Sequence, residues 1–279
     1  MCAPISFVKP PGAGYDVLML RSPCYVISDM HLGPSQSELE RSVVEFLRSL
    51  QRRAASLVIN GDLFDFWFEW RHVVPRGHFR LLATLADLRD TGTQLVMVGG
   101  NHDLWGGPEL TQEVGLRFEP GEWRGDLAGW QAVVEHGHGL RSSEDRLYRV
   151  LLTVFRSRLA IRAFSMLHPD WAVRLARGTS QASRDMQTSD EGEGLRRVAH
   201  ERLHREPGVE LLVYGHSHVA SLERVPGAGV YANAGSWLVE PTFLVVTPDA
   251  IELRRWRGST QSDLLHSLDR RAEKALSKA

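Results

Sequence analysis

One arrangement occurs five times in the chain: a short run rich in Val, Leu and Ile that ends at polar residues able to bind metal. The runs are CYVISD, SLVINGD, QLVMVGGNHD, QAVVEHGH and ELLVYGHSH. Runs of this length and composition are typical of strands buried on both faces. Helix-like segments separate the early runs, so the alternation predicts an α/β fold. Sites in such folds collect at the carboxyl ends of strands, where all five sets of polar residues fall.

Two segments between these runs have the residue spacing of amphipathic helices. The segment SELERSVVEFLRSLQRRA places five apolar residues on one helical face: Leu39, Val43, Phe46, Leu47 and Leu50. The segment FRLLATLADLRDTG repeats the pattern and ends at Gly92, a residue suited to a helix C-terminus. We expect both helices to pack their apolar faces against a sheet.

Composition narrows the class of protein. Of 279 residues, 43% are hydrophobic and 24% are charged, as in ordinary soluble globular proteins. The two cysteines cannot form a disulfide framework, which favours a reducing cytoplasm. The N-terminal residues lack the pattern of a secretory signal, and no apolar run is long enough to span a bilayer. A net charge of -1 argues neither for nor against nucleic acid.

The alternation stops between residues 139 and 207. This segment is predicted to be helical throughout and is rich in arginine, which indicates a helical cap inserted into a discontinuous core of residues 20–138 and 208–258. Residues 259–279 are predicted to form an amphipathic C-terminal helix. Its apolar stripe would pack on the core rather than lie on a membrane, and it comprises Leu264, Leu265, Leu268, Ala272 and Leu276.

The polar residues at the strand ends form the ordered set D-x-H, G-D, G-N-H-D, H and G-H-x-H. Its members are Asp29, His31, Asp62, Asn101, His136, His216 and His218. Carboxylate, imidazole and amide groups suit Mn²⁺, Fe or Zn²⁺, and the lack of thiolates argues against a structural zinc. Asp29 and His31 follow a strand two residues apart, so we expect them on one face. The set exceeds one tetrahedral site but fits two metals that share a carboxylate, an arrangement used for phosphoester hydrolysis.

This ordered set resembles the motifs of the calcineurin-like metallophosphoesterase superfamily. The resemblance implies an α/β fold, namely an αββα sandwich of two mixed sheets flanked by helices, here with an inserted helical cap. It also implies two divalent metal ions, expected to be Mn²⁺. One ion would be held by Asp29, His31, Asp62 and His218. The other would be held by Asp62, Asn101, His136 and His216, with Asp62 bridging.

The same resemblance implies roles for the residues beside the ligands. His102 would stabilise the phosphate oxygens or protonate the leaving group. Asp103 would orient His102. His138 remains an alternative to His136 as the fourth-motif ligand.

A narrower resemblance is carried by NGDLFDFWFEW, GNHDLW and LHPDWAVRLARGTSQASR. These segments are similar to the UDP-2,3-diacylglucosamine pyrophosphohydrolases of lipid A biosynthesis, in the branch with G-N-H-D. The resemblance implies cleavage to UMP and 2,3-diacylglucosamine 1-phosphate, with the cap binding the acyl chains. Binding of the head group would involve Asn101, Asp145, Tyr148, Ser180, Ser183 and Arg184. At the position of His138 the family commonly has Asp.

The expected partner is thus a lipid-linked nucleotide, and no nucleic acid partner is expected. The protein would be cytoplasmic and peripheral on the inner face of the cytoplasmic membrane. Another metallophosphoesterase of this scaffold, such as a nucleotide pyrophosphatase or phosphodiesterase, stays open as an alternative. A covering cap argues against a phosphoprotein phosphatase, and acidic residues among the tryptophans of the second motif argue against a nuclease. Intact ligands and His102 argue against a non-catalytic scaffold.

Overall fold

The computed structural model describes residues 18–141, 153–155, 157–175, 190 and 192–270. Within this part of the chain, thirteen strands form two mixed sheets. The strands are β1 (Leu18–Leu20), β2 (Cys24–Ile27), β3 (Ser56–Asn60), β4 (Gln94–Val98), β5 (Arg117–Glu119), β6 (Glu122–Leu127), β7 (Trp130–Glu135), β8 (Leu211–Tyr214), β9 (Ser221–Arg224), β10 (Val230–Asn233), β11 (Thr242–Val246), β12 (Ala250–Trp256) and β13 (Ser262–Asp269). Their order is β1-β6-β7-β8-β10-β9 in the six-stranded sheet and β13-β12-β11-β2-β3-β4-β5 in the seven-stranded sheet.

Two long helices cover the outer face of the seven-stranded sheet. They are α1 (Ser37–Ser49) and α2 (Phe79–Asp90), as the apolar spacing predicts. Val43, Phe46 and Leu47 of α1 are buried in the core that this face shares with the helices. Gly92 follows α2 with a φ of +94°, a left-handed conformation that suits a glycine after a helix end. Both helix predictions are confirmed.

Strand β2 shows how the two sheets are layered. Its alternate residues Cys24 and Val26 pack in the core between the sheets, whereas Tyr25 and Ile27 pack toward the helices. A strand buried on both faces needs apolar residues at every position, which explains the continuous run in the sequence. The predicted α/β sandwich of two mixed sheets flanked by helices is confirmed.

Part of the segment predicted as a cap belongs to the sandwich. Helix α4 (Glu193–Arg205) lies within residues 139–207, yet its buried Leu195, Ala199 and Leu203 pack on the six-stranded sheet. The segment between residues 141 and 190 leaves and rejoins the core at neighbouring points, since Arg141 Nη1 lies 3.6 Å from Asp190 Oδ2. This geometry is what an insertion requires.

The described part of that insertion contacts the core through aromatic side chains. It contains α3 (Arg158–Ser165), and residues 153–155 and 169–175 are also helical, as expected. The Phe164 ring packs 4.9 Å from that of Phe68 and 5.4 Å from that of Trp105. Ile161, which is buried, belongs to the same apolar cluster. The insertion is therefore held on the core beside the second and third motifs.

The predicted C-terminal helix is wrong over residues 262–269, which form β13. This strand pairs antiparallel with β12, and Leu268 lies opposite Ile251 and packs on the core. Leu264 and Leu265 are exposed. The leucine spacing fits a helix locally, but the open edge of β12, the strand that comes directly before it in the chain, supplies backbone hydrogen-bond partners. Ala272 and Leu276 lie outside the described residues.

Among the described helices, we find none that is both long enough and apolar enough to cross a membrane.

Candidate metal centre

The predicted ligands lie just beyond the carboxyl ends of buried strands. Asp29 follows β2, Asp62 follows β3, and His136 comes directly after β7. The first two strands belong to one sheet and β7 to the other. The site therefore lies where the carboxyl ends of strands from both sheets come together. Asp29, Asp62 and His136 are almost completely buried.

These side chains form two clusters of potential metal ligands that meet at Asp62. In one cluster, ligand atoms of Asp29, His31 and His218 lie within 4.8 Å of one another, and in the other those of Asp62, His136 and His216 do so. Asp62 Oδ2 lies 3.2 Å from His136 Nε2 and 3.8 Å from His31 Nε2. One Asp62 oxygen thus faces both clusters, as a bridging ligand must.

The nitrogen and oxygen atoms of these side chains are arranged to coordinate cations rather than to hydrogen-bond with one another. His31 Nε2 and His218 Nε2 lie 3.0 Å apart, and His218 Nε2 is 3.4 Å from Asp29 Oδ1. His136 Nδ1 contacts the Asn60 carbonyl oxygen at 2.8 Å, which turns Nε2 toward Asp62. Asn101 Oδ1 is buried without a hydrogen-bond partner among the described residues. Such an atom is costly unless a ligand uses it, and with the imidazoles and carboxylates around it the residues present fit two divalent cations.

The backbone at the ligands is left-handed rather than extended. The φ angles are positive at Asp29, His31, Asp62, His216 and His218, between 46° and 61°. The expectation that Asp29 and His31 share a face of a regular strand is therefore wrong, because β2 ends at Ile27. They converge through a turn. Each such residue costs about 1–3 kcal/mol, so the surrounding contacts must hold it.

Backbone hydrogen bonds between motifs supply that support. The Met30 and His31 N–H groups both donate to the Asp62 carbonyl oxygen, at 2.9 and 2.8 Å. The His216 N–H donates to both carboxylate oxygens of Asp29, at 3.1 and 3.0 Å. The first, second and fifth motifs are thus fastened to one another independently of any ion.

Glycines leave the space that the ligands occupy. A Cβ atom on Gly215 would lie 2.8 Å from Asp29 Oδ2. One on Gly61 would collide with the His136 ring, and Gly61 also has a φ of +77°. A side chain at either position would push a ligand out of place.

Residues 22–220 match the model of a family described as calcineurin-like phosphoesterase. This chain belongs to the calcineurin-like phosphoesterase family. The match covers every strand-end motif described above, from Asp29 to His218. The predicted superfamily is confirmed, and with it a metal-dependent hydrolase.

Two curated relatives of this phosphoesterase carry the same description. A UDP-2,3-diacylglucosamine hydrolase of Porphyromonas gingivalis is 34% identical over 221 residues, which cover 72% of this chain and 84% of the relative. A UDP-2,3-diacylglucosamine hydrolase of Ralstonia nicotianae is 29% identical, with 74% and 80% covered. Among solved structures, vacuolar protein sorting 29 of Cryptosporidium parvum is 12% identical with a TM-score of 0.47, covering 88% of this chain and 97% of its own.

The histidines of the phosphoesterase site differ in pKa. Burial lowers the pKa of His31 to about 4 and that of His216 to about 3, so both imidazoles are neutral at pH 7, as ligands must be. Burial also acts to lower the pKa of His136, but the nearby carboxylates of Asp62 and Asp29 outweigh it and raise the pKa to about 10. Without a cation, His136 therefore carries the positive charge that balances the aspartates.

The two site carboxylates remain ionised despite their burial. Burial acts to raise the pKa of Asp62, but His136 and His102 outweigh it and hold the pKa well below its usual range. Burial opposes the ionisation of Asp29 as well, and His136 again outweighs it, so this pKa is also lowered. The phosphoesterase thus presents two buried negative charges to any cation that enters.

The Asp103 carboxylate is hydrogen-bonded to backbone N–H groups and not to the His102 ring, contrary to the prediction. Its carboxylate accepts backbone N–H groups from Gly100 at 2.9 Å, Asp62 at 3.1 Å and Leu63 at 2.7 Å. His102 Nδ1 instead contacts the carbonyl oxygen of Asp65 at 2.9 Å. Asp103 therefore fixes the turn that carries Asp62, and the backbone of residue 65 orients His102. Burial raises the pKa of Asp103 to about 6.

His138 lies at the edge of the second cluster. Its ring centroid is 5.4 Å from that of His136 and 6.4 Å from that of His216. His136, and not His138, belongs to the cluster around Asp62, which favours His136 as the ligand. Five residues predicted to bind the head group lie outside the described part of the chain, namely Asp145, Tyr148, Ser180, Ser183 and Arg184.

Nothing in the sequence indicated that Asn60 and Asp65 contact the histidines of the site. Both act on a catalytic-site histidine through a backbone carbonyl, Asn60 on His136 and Asp65 on His102. A carbonyl is present at every residue, so side-chain chemistry carried no signal for either contact.

Proposed function

We propose that this phosphoesterase hydrolyses UDP-2,3-diacylglucosamine to UMP and 2,3-diacylglucosamine 1-phosphate. The observation that carries the proposal is the position of Asp62 between two buried ligand clusters, in a chain 34% identical to a hydrolase of that description. A phosphoanhydride is a suitable substrate because both its phosphoryl groups bear charge that paired cations would neutralise.

Two divalent ions, which we propose to be Mn²⁺, would be held by the clusters and Asn101 and would supply Lewis-acid activation of water and of the phosphoryl oxygens. The protein would align these groups. Water oxygen would bond to the uridine-bearing phosphorus as the phosphorus–oxygen bond to the sugar phosphate breaks. The departing phosphate oxygen would then need a proton or a strong hydrogen bond.

We propose that His102 supplies it. Its Nδ1 faces the Asp65 carbonyl, a group that can only accept a hydrogen bond, so Nδ1 carries a proton. Its Nε2 lies 4.0 Å from Asp62 Oδ2 and thus faces the centre. A proton on Nε2 would be available to the substrate in the way a general acid requires.

A cleft beside the centre offers room for acyl chains. It has a volume of about 1490 Å³ and begins at Gly33 and Pro34, two residues beyond His31. Apolar side chains of Val44, Trp70 and Val74 line its core side, and Val173 lines it from the inserted segment. This volume exceeds the roughly 300–1,000 Å³ of sites for drug-sized ligands, as two acyl chains would require.

The test is direct hydrolysis in ¹⁸O-water by the metal-loaded protein, followed by chromatography and mass spectrometry of the products. We expect UMP with the label in its phosphate, and no label in the diacylglucosamine phosphate. A His216→Ala variant provides the inactive control. Equal turnover of UDP-N-acetylglucosamine, which lacks both long acyl chains, would favour a general nucleotide pyrophosphatase instead. Repeating the assay with Mg²⁺, Zn²⁺ and Mn²⁺ tests the choice of metal.

A further inference from the structure

A sixth apolar run ends at the same edge of the sandwich as the five motifs. It is β10, with the sequence VYAN, and it pairs parallel with β8, the strand that leads into the fifth motif. Asn233, the last residue of β10, lies opposite Tyr214, the last residue of β8. Because parallel strands end at the same edge of a sheet, the Asn233 side chain comes next to the turn that carries His216 and His218.

The Asn233 side chain is completely buried and forms hydrogen bonds on both sides of His216. Its Nδ2 donates to the Gly215 carbonyl oxygen at 2.9 Å and to Ser217 Oγ at 3.0 Å. Its Oδ1 accepts the Gly235 N–H at 2.9 Å. A carbonyl oxygen can only accept a hydrogen bond, so these partners determine the orientation of the amide. Both N–H groups of one side chain thus hold the fifth motif, one before His216 and one after it.

The same segment is tied to the first motif. Ser236 Oγ donates to the Asp29 carbonyl oxygen at 2.7 Å, and Ser28 Oγ donates to the Gly235 carbonyl oxygen at 3.0 Å. β10 belongs to the six-stranded sheet, whereas Asp29 follows a strand of the seven-stranded sheet. Residues 233–236, which we call the 233–236 segment, therefore connect ligand-bearing turns of both sheets.

The 233–236 segment is itself held by contacts that involve neither motif. Thr242 Oγ1, on β11, donates to the Ala234 carbonyl oxygen at 2.6 Å. Gly235 has a φ of +78°, and a Cβ atom there would lie 2.6 Å from Thr242 Oγ1. The segment is thus packed closely against β11 and can serve as a fixed support for the two motifs.

The fifth-motif turn supplies a ligand to each of the two clusters. His218 belongs to the cluster with Asp29, and His216 belongs to the cluster with Asp62. The two histidines have φ angles of 61° and 60°, a conformation that costs free energy and must be held by surrounding contacts. A shift of this turn would therefore move one ligand of each ion together.

We propose that Asn233 is a positioning residue of the metal centre, which fixes His216 and His218 together and so sets the spacing between the two ions. Its own oxygen accepts the Gly235 N–H, so Asn233 would act through the two histidines and not as a ligand. This inference rests on the proposed function for the presence of two ions, and it is independent of the substrate.

Asn233→Ala tests this role because it removes both donors to the fifth motif. In calorimetric titration of the metal-free protein, Mn²⁺ affinity should fall by roughly ten- to a hundredfold, the usual loss when a residue that orients a metal ligand is replaced. Electron paramagnetic resonance of the Mn²⁺-saturated protein gives a second readout. We expect the wild type to show the signal of a magnetically coupled ion pair, and the variant to show a larger share of uncoupled Mn²⁺. Loss of general stability alone would lower the melting temperature without changing that share.

Thr242→Val is the matched control, because it removes one buried hydrogen bond from the same segment and touches neither motif. Its melting temperature should fall, while its Mn²⁺ affinity and its signal should match those of the wild type. Ser217→Ala is a milder change at a half-buried position, and it should weaken Mn²⁺ binding by roughly threefold, as expected for one hydrogen bond. This variant decides the question if Asn233→Ala does not fold.

Unchanged Mn²⁺ affinity and ion coupling in Asn233→Ala, or equal changes in Thr242→Val, would overturn the inference. Failure of the proposed function gives a different result. A wild type that binds no pair of Mn²⁺ ions would remove the proposed centre, and this inference with it. A wild type that shows the coupled pair and loses it in Asn233→Ala, but releases no UMP from UDP-2,3-diacylglucosamine, would keep the positioning role and lose the substrate.

Discussion

The metal centre and the inserted segment differ in how the protein holds them. At the centre, Asp29, Asp62 and Asp103 are buried, and their carboxylates accept hydrogen bonds from backbone N–H groups of other motifs. The described part of the inserted segment contacts the core through aromatic rings around Phe164, and it exposes several large apolar side chains. The centre is held by directional hydrogen bonds and is buried, whereas the described part of the insertion is held by non-directional apolar contacts and is largely exposed. We infer that reaction chemistry and lipid selection are assigned to separable parts of the chain.

The largest effect is expected from Asp62→Ala. This change removes the carboxylate that faces both clusters, and turnover should fall by roughly four orders of magnitude or more because charge stabilisation at the phosphoryl group is lost. Metal analysis should show that the protein no longer retains two ions. Asp87→Ala on the exposed side of α2 is the matched control and should behave as wild type. Full metal content with near-normal turnover would contradict the bridging role.

A smaller loss is expected from His102→Ala. If His102 acts on the substrate, turnover should fall by roughly two to four orders of magnitude while both ions remain bound. His102 also lies within ligand distance of His31 and Asp62, so the metal content decides between two roles. Loss of an ion from the variant would make His102 a ligand.

Removing the inserted segment tests whether the metal centre works without it. Joining Arg141 to Asp190 with a Gly/Ser linker in place of residues 142–189 keeps α4, which the sandwich needs. We expect cleavage of bis(p-nitrophenyl) phosphate to survive. Cleavage of the diacylated substrate should fall by roughly two orders of magnitude, since remote binding energy that positions the phosphorus is gone.

Because the deletion uncovers Phe68 and Trp105, solubility must be checked by gel filtration before the rates are compared. A soluble, metal-loaded variant that hydrolyses both substrates at wild-type rates would show that the segment does not select the lipid.

The smallest effect concerns the proton on His136. Its pKa of about 10 in the metal-free fold lies above the unfolded value of about 6.5, so this proton stabilises the metal-free fold fully below pH 6.5. That contribution is lost as the pH rises through about 10. A cation at Nε2 must displace the proton, so Mn²⁺ affinity should rise by roughly tenfold from pH 7 to pH 8.

Calorimetric titration in two buffers of different ionisation enthalpy would count the released proton. His138→Ala should leave the count unchanged, and His136→Ala should abolish it. The opposite result would exchange the two histidines as ligand.

The sequence predicted which polar side chains come together better than it predicted the backbone geometry that presents them. Asp29, His31 and Asp62 could be named because each lies at the end of a recognisable apolar run, and strand ends converge in this class of fold. The expectation that Asp29 and His31 share a strand face was wrong. They lie in a left-handed turn that depends on hydrogen bonds to the carbonyl of Asp62, in the second motif. The helix predicted over residues 262–269 was wrong for a related reason, because backbone pairing with the preceding strand β12 decides between two locally acceptable conformations. Backbone hydrogen bonds to another segment leave no trace in side-chain spacing.

The left-handed backbone at five ligands has a consequence for protein engineering. Copying the seven predicted ligand side chains onto the strand ends of another α/β scaffold would reproduce the same chemical groups but not their arrangement. Ordinary strand ends would direct Asp29 and His31 to the wrong positions, and side chains in place of Gly61 and Gly215 would collide with His136 and Asp29. The smallest transferable unit is therefore the set of interlocked turns, and a successful transplant would have to move loops and glycines as one piece.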